Sequence, residues 1–154
     1  MKFNADPKSG SGDFLKIEDG KSVKGILQGD VREFYCKWED GQSTEVPEND
    51  PKAKFRFRIN LLVPNGDGEY SPKVFEQGAK VYKQLKSLSE DYDLSETIVK
   101  ISREGTELKT NYTVTPLPKK PSTEQLLKIR QVELLALKAE ETEISLTADK
   151  EEGF

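Results

Sequence analysis

Three cations alternate with two phenylalanines from Lys54 to Arg58, and Asn60 follows in the same phase. Period two sends Lys54, Arg56, Arg58 and Asn60 to one face of a strand and Phe55, Phe57, Ile59 and Leu61 to the other. A row of ammonium and guanidinium groups on a sheet can follow the phosphates of a nucleic acid while nearby rings stack on its bases. Such stacking is worth about 1–3 kcal/mol per base and tolerates any base. The same row also fits the ordinary wet face of an antiparallel sheet. Rings come from Tyr35-Cys36-Lys37-Trp38, where Tyr35 and Lys37 share one strand face and Cys36 and Trp38 the other. Trp38, the single tryptophan, stands beside a polar segment, so a core position and an exposed stacking platform are both open to it. Lys73, Lys80, Lys83, Arg103 and Lys109 would lengthen a cationic path, although each alone is an ordinary surface charge.

Other chemistry lacks parts. With no histidine and one cysteine, Cys36, the chain can form no intrachain disulfide, no Cys/His zinc site and no Ser-His-Asp or Cys-His pair. It has no phosphate-binding Walker loop and no Gly-x-Gly-x-x-Gly. Its acids are scattered rather than gathered at adjacent strand ends, which argues against a two-metal nuclease. A non-catalytic protein without cofactor or metal is expected.

The elements that would position these side chains can be read in order. Residues 1–12, with Pro7 and Ser9-Gly10-Ser11-Gly12, read as a flexible start. A long β stretch over 21–38 is broken by Gly25 and Gly29, which suggests bulges or coiling. Residues 40–51 are polar and read as a loop, and 54–63 is the clearest strand. Asn65-Gly66-Asp67-Gly68 signals a turn, followed by a candidate strand at 70–74. Val74, Gly78, Val81, Leu85 and Leu88 have helical spacing, with a start between Pro72 and Gly78. Strands are expected at 97–103 and 108–114, stopped by Pro116 and Pro118. Ser122 and Gln125 form a capping-box pattern that opens a leucine-rich helix over 123–139. Five strands with a helix between the third and fourth is the order of an OB-fold barrel. The fold class expected is therefore mainly β, with a C-terminal helix and an acidic tail. The divisions are 1–12, a nucleic-acid-binding domain over 13–118, a linker and helix over 119–139, and a tail over 140–154.

Charge is unevenly divided. The net charge of −4 belongs wholly to residues 122–154, which carry four cations and eight anions; residues 1–121 balance at zero. The chain closes on Glu151-Glu152-Gly153-Phe154, where acids, a ring and an α-carboxylate could be captured by a basic partner pocket or could simply fray as a solubilising end. No apolar run approaches the roughly 20 residues of a membrane span, and the start has no apolar signal core, so a cytoplasmic protein is expected.

Phe34-Tyr35-Cys36-Lys37-Trp38, Lys54-Phe55-Arg56-Phe57-Arg58-Ile59-Asn60 and the run from Lys73 to Tyr82 resemble bacteriophage single-stranded DNA-binding proteins, in the style of the T4-type helix-destabilising proteins. Lys100-Ile101-Ser102-Arg103-Glu104-Gly105 and Thr110-Asn111-Tyr112-Thr113-Val114 are similar in texture, and the likeness spans about residues 14–117. It implies an OB-fold core that coats single strands during replication, recombination or repair. It also implies an acidic tail that recruits partner proteins through residues such as Glu151, Glu152 and Phe154 and competes with DNA for the groove. By position it assigns groove roles to Arg56 and Arg58, with Lys73 and Lys80 at the strand-to-helix junction. The zinc subdomain of that family and a basic N-terminal arm are missing, and the helix over 123–139 lies beyond the likeness, where it would pack on the barrel or against a second copy. The alternative is an OB-type protein-interaction or recombination-adaptor module without strong DNA binding.

Overall fold

The computed structural model describes residues 13–137. The expected flexible start at 1–12 and the acidic tail at 140–154, with Glu151, Glu152 and Phe154, lie outside the described residues. The protein is mainly β. Strands β1 (Ser22–Glu39), β2 (Gln42–Val46), β3 (Lys54–Pro64), β4 (Tyr70–Gly78), β5 (Val99–Glu104) and β6 (Asn111–Pro116) form an antiparallel sheet. Helix α1 (Ala79–Ser89) follows β4, and α2 (Thr123–Arg130) follows β6. The order across the sheet is β4-β3-β1-β5-β6, with β2 added beside the far end of β1.

Strand β1 organises the molecule because it changes partners along its length. Ser22 to Gly25 pair with β5, Ile26 to Cys36 with β3, and Tyr35 to Glu39 with β2. A Cβ on Gly25 would lie 2.6 Å from the Leu62 carbonyl, so the crossover needs a residue without a side chain. The pairing with β3 slips between Gln28 and Arg32, where Gly29 has φ +83°. This is the irregularity expected from glycines inside a strand pattern.

Alternation on β3 works as the sequence suggests. Phe57, Leu61 and Ile59 enter the main core with Leu27, Phe75, Val99, Ile101 and Val114, and Val81 and Leu85 of α1 close it. Among the described residues no ladder joins β4 to β6. Instead the Gln84 side chain of α1 donates to the Tyr112 carbonyl at 2.8 Å and accepts from the Val114 amide at 2.9 Å, serving as a strand edge would. Along the free edge of β4, Phe14 forms a parallel bridge with Val74 and the Leu15 amide donates to the Val74 carbonyl.

Four expectations change, the first being that the last strand runs Asn111–Pro116 rather than from Leu108, which stands exposed in the short helical turn Glu107–Lys109. The polar run after Trp38 is not wholly loop: Asp40 and Gly41, both at positive φ, turn the chain back into β2. That two-residue geometry matches the twist of a hairpin. Val74 and Gly78 belong to β4, not to the helix, because β4 runs without a loop into α1. The leucine-rich helix is eight residues long and ends at Arg130 instead of reaching 139. Both bonds of its capping box are present, Ser122 Oγ accepting from the Gln125 amide and Gln125 Oε1 from the Ser122 amide. Past Gln131 the backbone groups of Leu135 and Leu137 bond to side chains of β3, so they are not available for helical bonds.

Candidate nucleic-acid interface

Cross-strand register defines the outer face of the β1–β3–β4 region. Cys36 pairs with Lys54, Phe34 with Arg56, Arg32 with Arg58 and Gln28 with Asn60. On the other flank Arg56 pairs with Gly78, Arg58 with Glu76 and Asn60 with Val74. Trp38, two residues beyond Cys36, falls on the same face across from Ser43 of β2. The expected row of Lys54, Arg56 and Arg58 is thus assembled, with the indole at its hairpin end.

The two ends of that row differ. Trp38 is 68 % exposed and Lys54 is exposed. A ring this open is not a core residue, so of the two positions the sequence left to Trp38 the exposed one is observed. Arg56 is half-buried, its guanidinium 3.2 Å from a Glu76 oxygen. Arg58 is only 11 % exposed: its Nε lies 2.6 Å from Glu76, its Nη1 donates to the Leu137 carbonyl at 3.2 Å, and its guanidinium packs on the rings of Phe14 and Phe34. Asn60, 2 % exposed, donates to the Leu135 carbonyl at 3.1 Å and accepts from the Leu135 amide at 2.9 Å. Residues 132–137 therefore lie as an extended strap across the Arg58–Asn60 end. The strap is anchored by α2, whose Ile129 is buried with Ile26 and Leu62.

The remaining sequence-predicted residues are distributed elsewhere. Tyr35 and Lys37 are on the opposite side of β1 from Trp38. Tyr35 packs edge-on against Phe55 and reaches Glu48; burial first, then the Glu48 charge, pushes its phenol above the ordinary value. Lys37 is ion-paired with Glu39 and Asp50. Lys73 pairs with Leu61 in the phase of Phe75, away from the Arg56 row. Lys80 donates to Asn111 at 3.3 Å. Arg103 is a clamp, its Nη1 donating to the Ile17 carbonyl at 2.8 Å and its Nε to Gly105 at 3.4 Å. Lys109 sits in the β5–β6 connection next to Leu108, which is fully exposed. Lys83 lies on α1.

Sequence reasoning missed Glu76 as the shared counter-ion, Phe14 as a floor for Arg58, and Asn60 as the hook for the strap. Glu76 carried no signal, because its pairing depends on register between β3 and β4. Asn60 carried one: it is a polar residue in the run Ile59-Asn60-Leu61-Leu62, where burial demands a specific partner. No protein-family model, curated protein or solved structure matches this chain.

Proposed function

We propose that the protein is a non-catalytic, sequence-tolerant binder of single-stranded DNA built on an OB-type barrel. The observation that carries the proposal is the exposed Trp38 ring on the same open sheet face as Lys54 and Arg56. A ring for stacking beside cations for phosphates is the combination such binders use. Setting the β2 hairpin aside, the strand order with α1 between β4 and β5 supports the barrel reading. The strap narrows the open surface to its Trp38–Lys54–Arg56 end. Roles in phage replication, recombination or repair, and recruitment of partners by the acidic end, belong to the same proposal.

A titration of the full-length chain with oligo-dT, read by Trp38 fluorescence, tests it. Binding should quench the indole and weaken as salt rises, because phosphate contacts release counter-ions. Arg56→Glu should lose affinity while staying folded. No quenching and no binding at low salt would remove the proposal.

A second reading, an interaction module, is favoured by the strap itself. Asn60 and Arg58 hold a peptide main chain, and a partner's extended segment could take that place. Capture of a partner by a chain with no affinity for oligo-dT would select it.

A further inference from the structure

The outer face of β5, β6 and the first turn of β1 is a different surface. Val23, Val99, Ile101 and Val114 point inward, the last three buried, so the alternate residues point out. Register places Ser22 opposite Ser102, Lys24 opposite Lys100, Lys100 opposite Thr115 and Ser102 opposite Thr113. The result is two lysines across from each other, framed by four hydroxyl side chains and no aromatic ring. Like charges directly opposite in a sheet destabilise it. Among the described residues no acid pairs with either lysine. On β5 itself the acid in the same phase, Glu104, is four residues from Lys100, about 13 Å along a strand. Beyond β6 the chain passes through Lys119 and Lys120, both exposed.

We infer that this face is a second phosphate-binding track, which holds the sugar–phosphate backbone of a nucleic acid and leaves its bases unread. The inference rests on the single-strand-binding proposal, since the DNA gripped at Trp38 is the polyanion it would hold. Ammonium groups act as compact point charges toward phosphate, and serine and threonine hydroxyls donate to phosphate oxygens. With no ring present, the track adds charge alone. Its contribution should therefore appear in salt dependence and in long ligands, not in stacking.

The test compares the full-length chain with a Lys24→Thr/Lys100→Thr variant, using oligo-dT of roughly 8 and roughly 40 nucleotides, within and well above one OB footprint. Threonine matches the neighbouring side chains and suits a strand. Because Lys100 is half-buried, Lys24→Glu alone serves as a second variant. For the short oligomer, Trp38 quenching and affinity should stay within about twofold, a stacking-dominated result. For the long one, the slope of log K against log salt should become shallower by about 1.4, two contacts at about 0.7 each on single strands. An unchanged slope with intact quenching overturns the inference and leaves the proposed function standing. Absence of quenching and binding in the unaltered chain removes the proposed function itself. If the variant's effect vanishes once the six acids of residues 140–152 are neutralised to amides, the face holds that segment rather than phosphate, and the inference fails.

Discussion

Two like-charged pairs face each other across strands in this sheet, and they are treated in opposite ways. Arg32 and Arg58 sit opposite one another between β1 and β3, but each has its own carboxylate, Glu45 for Arg32 and Glu76 for Arg58, and both lie over the Phe34 ring. Lys24 and Lys100 sit opposite one another between β1 and β5, and among the described residues neither has a carboxylate partner or a ring beneath it. Identical register chemistry thus gives a sealed, load-sharing patch in one half of the sheet and an unneutralised one in the other. Cations that are already compensated hold the fold together. Cations that are not compensated are where an external anion gains most.

The comparison can be broken first at Glu76. Glu76→Gln removes the carboxylate that Arg56 and Arg58 share and leaves Arg58 mostly buried with its charge. A loss of about 2–3 kcal/mol in urea unfolding is expected, near the lower end for a broken buried pair because Glu76 is partly exposed. A loss below about 0.5 kcal/mol, the size of an exposed pair, would show that the rings and the strap hold Arg58 unaided. Next comes the hook. Asn60→Ala deletes both bonds to Leu135 and should cost about 1–2 kcal/mol, with hydrogen-exchange protection of the Leu135 amide lost. The same variant should bind oligo-dT more tightly, since a loosened strap uncovers more of the sheet face beside Arg56; unchanged affinity would place the strap outside the DNA path. Gly29→Ala acts on the strap from beneath, because a Cβ there would stand 2.8 Å from Leu134 Cδ1 at φ +83°, and about 1 kcal/mol of destabilisation is expected. The smallest effect is the most discriminating. Lys24→Thr should raise stability by roughly 0.2–0.5 kcal/mol at low salt, with the gain fading as salt screens the repulsion. A drop in thermal stability instead would mean that Lys24 is compensated after all.

Much of the architecture was legible because burial imposed a period. Phe57, Ile59 and Leu61 alternate since one side of β3 faces the core, and the Ser122/Gln125 cap is a local pattern that formed as read. Strand β2 was hidden, because every residue but Val46 is exposed and no alternation marks it. The β4-to-α1 boundary was blurred, since Val74 and Val81 also fit helical spacing and no loop separates the elements. Leu134, Leu135 and Leu137 have helix-like composition, and it is Asn60 and Arg58 of β3, 75 residues from Leu135 and 79 from Leu137, that hold them off the helix. Of the site, the Lys54–Arg56–Arg58 row was visible locally. Its counter-ion, its covering strap and the Lys24–Lys100 confrontation are products of long-range register, which composition does not encode.

The strap is tied to β3 by side chains alone, while β3 keeps its main-chain ladders to β1 and β4. Lifting it would therefore leave every rung of the sheet in place, so opening belongs to the low-energy, local class of fluctuation rather than to global unfolding. Opening would lengthen the exposed stretch of this face at constant fold, against two amide contacts, one guanidinium contact and the packing of Leu134 over Gly29.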